Sequence, residues 1–281
     1  MHGPVRPTGG AAGADPRLEA EVSFLASLPD SVIDRQVSTV AADMAYSKSK
    51  VDRAGQLLAD HLRAAAEGKR RVGHQRAELE EAIQIIEWWR GEHAKPLSRV
   101  AANLRHYASA QGKPVVAQRL KKFPTIAGKL LREPTMKLSR MADIGGVRAV
   151  LPDQDAAYSV AGRLRKNWTI TRFRDYVAEP KSDGYRALHL INRNRGRLIE
   201  VQLRTPLQDS WANAVEADAR LVAPGLKFGA GPQELRDFYV ATGELFANAD
   251  QGLPLDPVLY DRVKDLQEQA DTFRGRVIDE P

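Results

Sequence analysis

The sequence predicts an α/β (α+β) fold, a mixed β-sheet of about five strands flanked by helices, with further helical additions before and after it. Three observations carry this. The runs Arg186 to Asn192 and Leu198 to Arg204 are strand-like and joined by Arg-Asn-Arg-Gly, the pattern of an antiparallel hairpin. The strands Gly146 to Leu151 and Thr169 to Arg174 are connected through a helix over Asp155 to Lys166, which makes the sheet mixed and lays helices over it. Helical periodicity dominates both flanks of this core.

In chain order, Met1 to Pro16 is rich in Gly, Ala and Pro and reads as a flexible tail, residues 1–16. A helical region, 17–115, follows. Within it Leu79, Ile83 and Ile86 recur at helical spacing over Ala77 to Trp89, with Glu80, Glu81 and Glu87 between them. Trp88, Trp89 and His93 read there as packing residues. Lys113-Pro114 breaks the helix and opens the core, 116–222, whose last helix is Pro206 to Leu221. Helices over Gln233 to Asn248 and Asp256 to Arg274 make up the C-terminal region, 223–281.

The 281 residues, 43% hydrophobic and 28% charged, suffice for one sizeable core with helical additions. The chain has no cysteine, which excludes disulfides, thiolate zinc sites and cysteine nucleophiles, so a metal must be held by oxygen or imidazole. No apolar run approaches the roughly 20 residues of a membrane span, and a cytoplasmic protein without a membrane partner is expected. The net charge of +6 fits a polyanionic partner and equally an ordinary solvated enzyme.

Period two over Arg197 to Arg204 places Leu198, Glu200, Gln202 and Arg204 on one face and Ile199, Val201 and Leu203 on the other. A mid-strand carboxylate needs a cation: Glu200 calls for Arg204 or Arg148 as an ion pair, or for a bound metal. Asp143, ahead of Gly145-Gly146 and Arg148, either caps a turn or joins Glu200 in holding magnesium. Upstream, Arg119, Lys121, Thr125, Lys129 and Arg132 surround a helix start at Pro124-Thr125, either a solvated basic helix or a polyphosphate cradle in which the threonine hydroxyl caps or binds phosphate. On the neighbouring strand Tyr185, Ala187 and His189 share a face, where Tyr185 could stack on a base while His189 and Lys181 reach phosphate or ribose.

These segments resemble the synthetase domain of the RelA/SpoT family, the ATP-dependent pyrophosphokinases that make ppGpp and pppGpp. The resemblance runs from Arg119 to Glu216 and rests on Arg-x-Lys-x-x-x-Thr-x-x-x-Lys at Arg119 to Lys129 and Asp-x-x-Gly-x-Arg at Asp143 to Arg148. It rests also on Asp-Tyr-Val-x-x-Pro-Lys-x-x-Gly-Tyr-x-x-Leu-His at Asp175 to His189 and Glu-Val-Gln-Leu-Arg-Thr at Glu200 to Thr205. It implies a nucleotidyltransferase-like core, ATP as donor bound by Arg119, Lys121, Thr125, Lys129 and Arg148, and Mg2+ on Asp143 and Glu200. Lys181, Tyr185, His189, Gln202 and Arg204 fall on the acceptor side. Glu200 is the group expected to accept the acceptor's 3′-hydroxyl proton.

None of the six histidines is followed by Asp, so the hydrolase half of the long bifunctional members is not expected, and the length fits a small, single-domain synthetase. Asp183 and Ala187 stand where the family often has Asn and Ser. Ala217 to Gly229 and Tyr46 to Gly55 look more like the toxic small synthetases of toxin–antitoxin and phage-defence loci. That likeness implies tRNA 3′-CCA modification and an antitoxin partner, with Lys48, Lys50 and Arg53, and Lys69-Arg70-Arg71, as a phosphate track; a solvated helix face explains the same residues. GDP or GTP is the alternative acceptor. A nucleotidyltransferase releasing pyrophosphate and a catalytically inert RNA- or antitoxin-binding module are the other readings. No oligomeric state follows from the sequence.

Overall fold

The computed structural model describes residues 45–67, 74–226 and 229–279. The expected tail, the helical reading of 18–44, Lys69-Arg70-Arg71 and Lys227-Phe228 lie outside the described residues. The elements are α1 (Lys48–Ala66), α2 (His74–Gly91), α3 (Ala94–Ser109), β1 (Val115–Leu120), α4 (Phe123–Arg132), a 3-10 turn (Leu138–Arg140), β2 (Gly145–Val150), α5 (Gln154–Asn167), β3 (Ile170–Asp175), β4 (Leu188–Asn194), β5 (Arg197–Arg204), α6 (Pro206–Leu221), α7 (Gln233–Asp250) and α8 (Pro257–Asp279). Among the described residues no helix is long and apolar enough to cross a membrane.

These residues divide into two compact units, the first made of 45–89 with 122–140. In it Ser47 caps α1 by accepting from the Lys50 amide at 3.3 Å. Asp52 accepts from the amide and hydroxyl of Ser139 at 2.8 and 3.0 Å, fixing α1 on the 3-10 turn. A Cβ at Gly55 would lie 2.9 Å from the Leu138 Cβ, so this approach requires glycine. Lys50 pairs with Glu81 at 2.8 Å and lies over the Tyr46 ring, whereas Lys48 and Arg53 are exposed. At 3.6 residues per turn Lys48 and Arg53 point about 140° apart, so the three residues form no single basic stripe. On α4 the N-cap is Lys122, without a side-chain cap bond, and Thr125 lies inside the first turn. The expected threonine cap is therefore corrected: Pro124 occupies an early helical position and shifts the start ahead of Thr125.

The second unit, 90–121 with 141–279, contains a five-stranded sheet in the order β1-β2-β5-β4-β3. β2 and β5 run parallel and the other neighbours antiparallel, the mixed sheet expected. One face packs Val147, Ala149, Leu190, Ile199, Val201 and Leu203 against α3 and α5. The other carries Arg148, Glu200, Gln202 and Arg204, at alternate, less buried positions of β2 and β5 until Arg204 itself. The hairpin turn is the pair Arg195-Gly196, both at positive φ (47° and 77°), which suits the twist of the strands it joins. Within these units α3 packs on the sheet and α4 packs on α1. An edge strand, Val115–Leu120, also stands where only a break was expected.

Candidate active site

The site is built on the polar face of the second unit, and its local turns explain why. Strand β4 begins at Leu188, two residues later than expected. The Asp183 carboxylate accepts from the Tyr185 amide at 3.0 Å, and Gly184 sits at φ 91°. This holds 181–185 in a turn, so Tyr185 precedes the strand. Ala187, expected on the same face as Tyr185 and His189, is fully buried instead. A Cβ at Gly184 would approach the Tyr239 carbonyl oxygen at 2.9 Å, so the turn lies directly on α7. Gly184→Ala combines left-handed strain with that backbone clash and is expected to cost about 2 kcal/mol of stability, read by urea denaturation.

Five side chains close a hydrogen-bonded ring on this face. Glu200 Oε1 faces His189 Nδ1 at 3.2 Å, and His189 Nε2 faces the Tyr185 hydroxyl at 2.6 Å. Arg204 Nη2 donates to the Tyr185 oxygen at 3.0 Å and to Gln202 Oε1 at 2.9 Å, and Gln202 Nε2 donates to Glu200 Oε2 at 2.8 Å. With a hydrogen on Nδ1, His189 donates to Glu200 and accepts from Tyr185, and every contact in the ring pairs a donor with an acceptor. Burial opposes ionisation of Glu200, yet the hydrogen bond and electrostatic attraction of His189, with the Gln202 hydrogen bond, outweigh it and hold the carboxyl below its ordinary pKa, against the charge of Asp143. Burial raises the Tyr185 hydroxyl, countered by Arg204. The expectation that Glu200 pairs with Arg204 or Arg148 is corrected: both arginines turn to Asp209, and His189 and Gln202 serve Glu200.

Around the ring, Lys121 Nζ pairs with Asp143 at 2.9 Å, so Asp143 does more than cap a turn. Arg148 Nη1 reaches Asp209 at 3.0 Å and Asn213 Oδ1 at 3.1 Å. Arg119 is largely exposed, 4.0 Å from Glu216. Lys181 Nζ lies 4.9 Å from the centre of the Tyr185 ring and 5.0 Å from that of Tyr176. Thr125 and Lys129 belong to the first unit. Asp209, Asn213 and Tyr176 are site residues that the sequence reading passed over. The one signal for the first two was their i,i+4 spacing on a helix just after Arg204.

The carboxylates of Asp143 and Glu200 are near enough for one charge to act on the other. Among the described residues no three His, Asp or Glu cluster as a self-sufficient metal site. Two carboxylates suit magnesium that arrives with a polyphosphate, since this ion keeps waters and phosphate oxygens as its remaining ligands. A cavity of about 240 Å³, lined by Asp183, Trp211, Arg236 and Tyr239 among others, shares none of the five ring side chains. It borders the site.

The profile of the family described as "Region found in RelA / SpoT proteins" matches residues 118–221. GTP pyrophosphokinase YwaC of Bacillus subtilis is 36% identical over 110 residues, 34% of this chain and 52% of that protein. The uncharacterized protein Rv1366 of Mycobacterium tuberculosis is 29% identical over 148 residues, 51% of this chain and 53% of that protein. The chain thus spans about half the length of these curated relatives. The small alarmone synthetase 1 structure from Bacillus subtilis superposes with a TM-score of 0.51 at 21% identity, over 65% of this chain and 97% of that one, and supports the fold.

Proposed function

We propose, from a core that belongs to the RelA/SpoT family over residues 118–221, that this protein is an ATP-dependent pyrophosphokinase. It transfers the β,γ-pyrophosphate of ATP to a ribose 3′-hydroxyl and leaves AMP. The observation that carries this is the half-buried Glu200, held by His189 and Gln202 on the same polar sheet face as Arg148 and Arg204, its carboxyl kept below the ordinary glutamate pKa.

Glu200 accepts the proton of the attacking hydroxyl, and His189 fixes the orientation of that carboxylate through Nδ1. Arg119, Lys121 and Arg148 are the donor-side groups of the second unit in this reading, and cations of this kind neutralise charge on the transferred group. Asp143 and Glu200 would hold magnesium, which supplies charge neutralisation at the phosphates when bound. Lys181, Tyr185, His189, Gln202 and Arg204 face the acceptor, with the Tyr176 and Tyr185 rings 6.0 Å apart as the aromatic surface for a base.

A guanine nucleotide is the acceptor best supported, since a relative with this core is named a GTP pyrophosphokinase. The tRNA 3′ end, with an antitoxin as partner, is the second reading; Lys48 and Arg53 are exposed but point apart on α1 and offer it separate cations, not a continuous track. Incubation with magnesium and γ-labelled ATP, with GDP, GTP and deacylated tRNA in parallel, separates them. Label on GDP or GTP is the expected result. Label on tRNA alone would establish the second reading, and label on none would reject both.

A further inference from the structure

Asp209 places a negative charge beside cations that, on the reading above, serve phosphates, and its geometry explains why. One oxygen, Oδ1, lies 3.0 Å from Arg148 Nη1 and 3.1 Å from Arg204 Nη1. The two guanidinium groups come from neighbouring parallel strands, Arg148 standing opposite Gln202, two residues before Arg204. Like charges held this close repel unless an anion lies between them. The other oxygen, Oδ2, accepts from Asn213 at 3.1 Å, and Asn213 Oδ1 in turn accepts from Arg148, which closes a triangle. The side chains are 34% exposed for Arg148, 16% for Asp209 and 8% for Arg204, so the carboxylate stands between an outer and an inner arginine.

The position is fixed by local structure. Thr205 caps α6 with a full capping box, and its hydroxyl donates to Asp250 at 2.7 Å. The helix therefore starts directly after Arg204, and its first turn brings Asp209 back over the ends of β2 and β5.

We propose that Asp209 is a positioning residue of the phosphate site: it holds Arg148, on the donor side, and Arg204, on the acceptor side, in one fixed arrangement before substrate arrives. This rests on the pyrophosphokinase reading. Asp209 acts through the two arginines, which keep further N–H groups for phosphate or for the Tyr185–Gln202 ring. Neutralising it leaves two adjacent guanidinium groups without their shared anion, and Arg148, the more exposed, loses its orientation.

The test is to titrate the full chain and its Asp209→Asn and Asp209→Glu variants with magnesium and a non-hydrolysable ATP analogue by calorimetry, and to measure kcat and KM for ATP beside thermal midpoints. Asp209→Asn is expected to weaken analogue binding and raise KM about tenfold, with kcat within about threefold. Asp209→Glu restores most of the affinity. Unchanged binding in Asp209→Asn overturns the proposal, as does a Glu variant no better than the Asn variant at equal thermal midpoints. Wild-type protein that binds the analogue but forms no product would reject the proposed activity while the binding comparison still judges Asp209.

Discussion

Glu200→Gln is expected to lower the transfer rate about a thousandfold. The substitution keeps size and removes the charge. His189 Nδ1 then faces an amide instead of a carboxylate, and the attacking hydroxyl loses its proton acceptor. The pH dependence follows from the sign of the shift. A carboxylate with a depressed folded pKa gives stability that is fully present above its unfolded value and lost as pH falls through the folded one. The acid limb of kcat due to Glu200 thus lies below the ordinary glutamate value of about 4.3. Steady-state rates of both proteins across pH check this. A variant that turns over at the wild-type rate would remove Glu200 from the chemistry.

Asp218→Ala is expected to destabilise the second unit by about 3 kcal/mol. Asp218 accepts from the Tyr239 hydroxyl at 2.8 Å and from Arg274 Nη2 at 2.6 Å, tying α6, α7 and α8 together. Burial, the Asp218 hydrogen bond and the Asp218 charge raise the Tyr239 hydroxyl above its usual range, so it remains a donor. Truncation leaves that hydroxyl without its acceptor and Arg274 with Asp271 as its remaining ion-pair partner. The effect reaches the site, because α7 supplies the Tyr239 carbonyl that accepts from Trp211 Nε1 at 2.8 Å and against which Gly184 packs. A fall of roughly 6–12 °C in thermal midpoint is the expected reading. A change of less than about 2 °C would contradict it.

The polar face of β5 was legible because one side of that strand is buried and the other is not, so Glu200, Gln202 and Arg204 stood out by alternation alone. The partners of Glu200 were not legible. His189 lies opposite Gln202 across the β4–β5 ladder, a register that composition does not encode, and Arg204 leaves the carboxylate for an aspartate on the next helix. Strand β1 escaped notice because it is an edge strand, mostly exposed over Val115–Leu120, without a buried stripe to set a period. Asp209 and Asn213 looked like an ordinary charged helix face. Only the turn at Thr205 brings them over the strand ends.

The bond broken in ATP distinguishes pyrophosphate transfer from nucleotidyl transfer. The direct measurement is a product analysis with α- and γ-labelled ATP, magnesium and the accepting nucleotide, resolved by chromatography. AMP formed in equal amount to a product carrying the γ-label on its ribose 3′-oxygen is the predicted result. Release of labelled pyrophosphate, with the α-label retained on the acceptor, would contradict it and make the protein a nucleotidyltransferase.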